Sequence, residues 1–230
     1  MSYNPHDPRT WPYFKPLIIA HDVGRSRDRS TAVIGGNCPV GPSLLGITEL
    51  IELPKGDFGT PRASALAAID RRYNSNALIV FDVSNDATYA EVMFDTFGGA
   101  RLIGLHIGRS GDGMTVEQRR VKNGSILVYT IGRTYLLDQF HNAMEADEVK
   151  FVDGPMSRRA YEQLAKLETE ISENGRVYRC VSGHDDLGMS CAMLGWAARH
   201  AHLQPWFTAF ERSRMIRKPR PDPFGWEAFT

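Results

Sequence analysis

The apolar run Leu17-Ile-Ile-Ala stops at His21-Asp22-Val23-Gly24, the pattern of a buried strand running into a turn. Residues 30–35 and 44–53 read as two further strands joined through a Gly/Pro/Asn cluster, so the chain opens on a three-stranded meander. Thr60 and Pro61 supply an N-cap and a first-turn proline for a helix through Tyr73, with Leu66, Ile69 and Tyr73 at helical spacing. The run 77–82 is a short buried strand that ends on Asp82. A helix near 87–97, a strand near 101–107 and a Gly-rich loop at 108–113 follow. Helices are expected at 131–146, 156–173 and 184–202, with short strands at 149–152 and 176–181. Alternating strands and helices of this kind predict an α/β domain with parallel pairing, a central mixed sheet of five or more strands flanked by helices. That domain spans 17–203, between an N-terminal extension at 1–16 and a tail at 204–230 rich in proline, arginine and aromatic rings.

Composition narrows the picture only in places. The chain has 230 residues, 42% of them hydrophobic, enough for one sizeable core. Its apolar runs fall short of the ~18 residues that cross a bilayer, and the start of the chain carries no signal-peptide pattern. Cys38, Cys180 and Cys191 form no CxxC pair and read as small core residues. The expectation is a soluble protein of a reducing cytoplasm, without a membrane partner. Acidic and basic residues balance at 27 each, but only six of the basic ones are lysine. Arginine is the better bidentate ligand for phosphate, so zero net charge leaves nucleic-acid binding open.

Three acidic points share a structural position. Asp22 ends the first strand, Asp82 ends the fourth, and Asp185-Asp186 open the last helix. Each alone has an ordinary explanation as a turn residue or a helix N-cap. Together they can converge at the carboxyl ends of the strands, where ligands gather in open α/β sheets. Crowded carboxylates repel, and a hard divalent cation, Mg²⁺ or Mn²⁺, removes the conflict. Such a set can hold two metal ions ~3.5–4 Å apart for phosphodiester hydrolysis. Arg25, Arg27 and Arg29 flank the first carboxylate as candidate phosphate contacts. Arg119, Arg120 and Lys122, read as part of a loop, are candidates for a DNA groove. His184 could assist the acidic pair, whereas His21 should face away from Asp22 because strand residues alternate. Asp28 and Asp86 read as loop residues.

The order of three-strand meander, helix, strand ending in Asp and late helix opened by Asp resembles the RNase H-like fold. His21-Asp22-Val-Gly-Arg-Ser-Arg-Asp28-Arg-Ser-Thr31 resembles the first motif of the nuclease domain in phage terminase large subunits. Phe81-Asp82-Val-Ser-Asn and Gly183-His184-Asp185-Asp186-Leu187 resemble its second and third. That likeness implies metal ligands at Asp22, Asp82 and the Asp185-Asp186 pair, two Mg²⁺ or Mn²⁺ ions, and cleavage of double-stranded DNA during viral or prophage packaging. A Holliday-junction or RNA–DNA hybrid nuclease, or a non-catalytic packaging subunit, are the alternatives on the same fold. The chain has no GxxxxGK phosphate loop, which that family's motor domain carries. The implied partners are therefore a separate packaging ATPase, a small terminase subunit or a portal, in the bacterial host cytoplasm, with 204–230 as a docking element. Gly188 is a weak helix former where the third motif calls for a strong one.

Overall fold

The computed structural model describes residues 3–11, 14, 16–24, 29–38, 44–54, 59–84, 87–108, 114–172, 175–180 and 185–200. Their order is β1 (Leu17–Asp22), β2 (Thr31–Asn37), β3 (Leu45–Glu52), α1 (Thr60–Arg72), β4 (Leu78–Asp82), α2 (Ala87–Phe97) and β5 (Leu102–Gly108). There follow β6 (Met114–Val121), β7 (Gly124–Gly132), α3 (Arg133–Glu145), β8 (Val149–Phe151), α4 (Pro155–Ala165), β9 (Leu167–Ser172), β10 (Gly175–Cys180) and α5 (Asp186–His200). Among the described residues, eight strands form one sheet in the order β6-β7-β5-β4-β1-β2-β3-β8, and β9 pairs with β10 apart from it. The meander β1-β2-β3 is antiparallel, whereas β4 lies parallel to β1, β5 to β4 and β7 to β5. Parallel pairing brings the carboxyl ends of β1, β4, β5 and β7 to one edge of the fold.

Strand alternation sorts the core into two layers. Ile18 and Ala20 of β1 and Leu78 and Val80 of β4 face α3, α4 and α5. Ile19 of β1 and Ile79 and Phe81 of β4 face α1 and α2 on the other side. Every residue of α5 from Leu187 to Ala198 is buried, because the helix lies between the sheet and the layer made by α3 and α4. This explains Gly188. A Cβ there would meet Leu164 Cδ2 at 3.1 Å, and its N–H, one of the orphan donors of the first helical turn, donates to Gln163 Oε1 at 3.0 Å. The glycine gives up helix propensity for close packing on α4.

Two expectations are overturned. Residues 119–122 belong to a hairpin, not a loop: β6 and β7 pair antiparallel across Lys122-Asn123. Strand β6 is exposed along most of its length, so it lacks the apolar alternation that marks a strand. The helix expected over 156–173 stops at Ala165, and Leu167–Ser172 pairs with β10. Smaller differences follow the same logic. Gly59, at a φ of +89°, takes the N-cap position of α1 in place of Thr60. Cys191 is a core residue, but Cys38 is half-buried with its Sγ 3.2 Å from the Tyr3 hydroxyl. From the N-terminal stretch, Trp11 packs against Gly46 of β3. The segment 204–230 lies outside the described residues.

Candidate metal centre

Asp22 and Asp82 are the last residues of adjacent parallel strands, one step beyond the aligned pair His21 and Phe81. Equal register across a parallel pair sends both side chains to the same face, here the one that carries α5. Asp22 is half-buried and Asp82 is 8% exposed. Asp82 Oδ1 accepts from the Ser84 N–H at 2.8 Å and from the Ser84 hydroxyl, which fixes the carboxylate's orientation.

A chain of hydrogen bonds brings the start of α5 to this place. Asp22 N–H donates to Ser190 Oγ at 3.2 Å, and Ser190 Oγ lies 2.7 Å from Thr31 Oγ1. Thr31 Oγ1 donates its one proton to the carbonyl of Asp186 at 3.0 Å. Ser190 is therefore the donor to Thr31, and the relay runs in one direction from the backbone of Asp22 to that of Asp186. Both hydroxyls are buried, so each would be costly to leave unpaired. Asp185 immediately precedes the helix, and its carbonyl accepts the first helical bond, from Met189 N–H at 2.8 Å.

These placements bring the charges of three other carboxylates to bear on Asp22. Burial, and then the charges of Asp82, Asp186 and Asp185, push Asp22 well above the usual carboxylate range, while Arg133 pulls it down. Arg133 is the first residue of α3, directly after the end of β7, and its guanidinium pairs with the Asp185 carboxylate. An all-oxygen donor set that repels itself is chemically suited to a hard divalent cation. Among the described residues, however, no three His, Cys, Asp or Glu side chains are gathered closely enough to hold an ion as they stand. Asp185 is engaged with Arg133.

The remaining sequence candidates divide. His21 points to the opposite face from Asp22, as strand alternation requires. Its Nδ1–H donates to the Thr31 carbonyl at 2.9 Å, and its Nε2 accepts from the Tyr89 hydroxyl at 3.1 Å. Arg119, Arg120 and Lys122 sit where β6 turns into β7. The antiparallel register puts that turn at the amino end of the sheet, away from the carboxylates. Arg29 pairs with Glu52 of β3. Arg25, Arg27, Asp28, Asp86 and His184 lie outside the described residues. Sequence reading missed Arg133, Ser190 and the role of Thr31. Recognising β7 would have flagged Arg133 as the residue after a parallel strand's carboxyl end. A cavity of about 310 Å³ between Asn37, Gln139, Trp196 and Arg199 lies at the far end of α5 and is separate from this cluster. Among the described residues no helix is long and apolar enough to cross a membrane.

The sequence matches no protein-family model and none of the curated proteins. Solved structures do resemble the fold. The large terminase nuclease of thermophilic phage G20c is similar with a TM-score of 0.51 at 18% identity, over 79% of this chain and 83% of that one. Its cobalt-bound form gives 0.50 at 17% identity, over 80% and 83%. The nuclease domain of the g2p large terminase of bacteriophage SPP1, with bound Mn, gives 0.46 at 11% identity, over 83% and 92%. The likeness to the G20c nuclease is one of fold: this chain adopts the RNase H-like α/β fold, a mixed sheet flanked by helices.

Proposed function

We propose that this chain is a metal-dependent endonuclease that cuts double-stranded DNA, with Asp22, Asp82, Asp185 and Asp186 as the ligands of two Mg²⁺ or Mn²⁺ ions. The observation that carries the reading is the placement of Asp22 and Asp82 at the ends of adjacent parallel strands, where the charges of Asp82, Asp186 and Asp185 bear on Asp22. Like charges this close cost folding free energy, and a site for divalent cations explains why a fold would keep them. The cobalt bound by the G20c nuclease supports the same chemistry on the same fold.

When bound, Mg²⁺ or Mn²⁺ would balance the carboxylates and polarise a phosphodiester as a Lewis acid. The chain's own residues set up that site. Ser84 orients Asp82, and the Ser190–Thr31 relay fixes the spacing between Asp22 and the start of α5. Arg133 adds a guanidinium at the same edge, suited to a phosphate oxygen. Arg119, Arg120 and Lys122 take no part in this site. By resemblance to terminases the cleavage serves viral or prophage DNA packaging, beside a separate ATPase subunit, small terminase or portal.

Supercoiled plasmid incubated with Mg²⁺ or Mn²⁺ should be nicked or linearised, and EDTA should abolish the cutting. Asp82→Asn should lower the rate by about a thousandfold or more, roughly 4 kcal/mol of barrier, without loss of folding. Cleavage confined to four-way junctions or RNA–DNA hybrids would reassign the substrate. No cleavage of any of these with either metal would replace the reading with a non-catalytic packaging subunit.

A further inference from the structure

Arg133 is poorly placed for its own helix. It opens α3, where the macrodipole is positive and an acidic residue would be favourable, yet the first turn holds no acidic residue and Gly132 offers no side-chain cap. What offsets this is the carboxylate of Asp185, whose side chain is 17% exposed against 29% for Arg133. The guanidinium and the positive end of α3 thus bring positive charge to a cluster that otherwise repels itself. The same pairing occupies one of the four carboxylates proposed as metal ligands, in a structure where no three of the described donors form a closed set.

We propose that Arg133 is the resident counter-cation of this centre, holding Asp185 in the metal-free protein, and that a divalent ion must displace it to recruit Asp185. The inference rests on the metal-centre reading above. It makes Arg133 a positioning residue with two states. On Asp185 it steadies the carboxylates, and once displaced its planar fork is released at the edge where a phosphate would bind. No bond is made or broken; one ion pair is exchanged for another.

Mn²⁺ binding, measured by calorimetry on the full chain without nucleic acid, tests this apart from activity. Arg133→Gln should melt at a lower temperature than wild type in EDTA and should bind Mn²⁺ about three- to fivefold more tightly, the upper range of a partly exposed ion pair. Arg133→Lys, which keeps the charge but loses the fork, should fall between the two and serves if Arg133→Gln does not fold. In an Asp185→Asn background, Arg133→Gln should change Mn²⁺ affinity by less than about twofold, because the competition has no seat left. Unchanged or weaker Mn²⁺ binding in Arg133→Gln overturns the proposal, as does equal tightening in the Asp185→Asn background. Wild type that binds no Mn²⁺ at millimolar concentration overturns the metal-centre reading and this proposal with it. Binding by wild type that Asp82→Asn abolishes upholds that reading, so the Arg133 result is judged alone.

Discussion

Strand β4 has a buried aspartate at each end, and the two are treated in opposite ways. At its amino end, Asp70 of α1 is 2% exposed. It accepts from Ala77 N–H at 3.1 Å and from Arg101 at 2.9 Å, and Arg101 also donates to the Ala77 carbonyl at 3.0 Å. That carboxylate has its countercharge and its hydrogen bonds, so it locks α1 to the start of β4. At the carboxyl end, Asp82 takes hydrogen bonds from Ser84 and its charge presses on Asp22. What bears on the two differs in sign: Asp70 meets a guanidinium, whereas the charge of Asp82 bears on another carboxylate. The sharpest way to break this contrast is Asp70→Ala. Removing one partner of a buried pair leaves Arg101 without its countercharge and the Ala77 N–H unpaired, and should cost about 3–5 kcal/mol by urea unfolding, with or without metal. A loss below about 1 kcal/mol would show that the two ends of β4 do not differ as argued.

The second prediction tests the contrast within β1, where His21 and Asp22 adjoin on opposite faces. Burial, reinforced by the charge of Arg62, lowers the His21 pKa from 6.5 to about 4, against a smaller opposing contribution from its bond to Thr31. A neutral buried base contributes stability that is fully present above pH 6.5 and is lost as pH falls toward 4. The whole loss is about 3 kcal/mol. Asp22 has the opposite sign: its raised pKa means that acidification relieves a strain present at neutral pH. The two overlap in metal-free wild type. Asp22→Asn removes the opposing group, so its stability in EDTA should fall more steeply from pH 7 to pH 5 than that of wild type. Parallel curves for the two proteins would contradict the strained state assigned to Asp22.

How far the sequence foretold this follows from what each element is made of. Strands β1, β4 and β5 are built on short apolar runs, and α5 is marked by its acidic start and small apolar residues, so both are legible without tertiary context. The ends of those elements carried Asp22, Asp82, Asp185 and Asp186 with them. Strand β6 was illegible because most of Met114–Val121 is solvent-facing, and its polar pattern imitates a loop. That one omission misplaced Arg119, Arg120 and Lys122 and hid Arg133, since β7 is what delivers α3 to the carboxyl edge. The hydroxyl relay was illegible for a different reason. Thr31 and Ser190 are 159 residues apart, and nothing local in either says that they meet.

The smallest expected effect is the most direct measure of the crowding itself. Asp82→Asn keeps Oδ1, which accepts both Ser84 hydrogen bonds, and removes the charge that bears on Asp22. In EDTA at neutral pH the variant should therefore be more stable than wild type, by about 1 kcal/mol, the scale of one like-charge contact in a partly wet site. Asp70→Asn, which removes a charge whose partner is Arg101, should move in the opposite direction. With saturating Mn²⁺ the advantage of Asp82→Asn should reverse, because wild type then gains binding free energy that the variant has forfeited. Thermal melts of the three proteins with and without Mn²⁺ read both signs at once. If Asp82→Asn is destabilised in EDTA as much as Asp70→Asn, then Asp82 is a structural aspartate and the difference between the two ends of β4 does not exist.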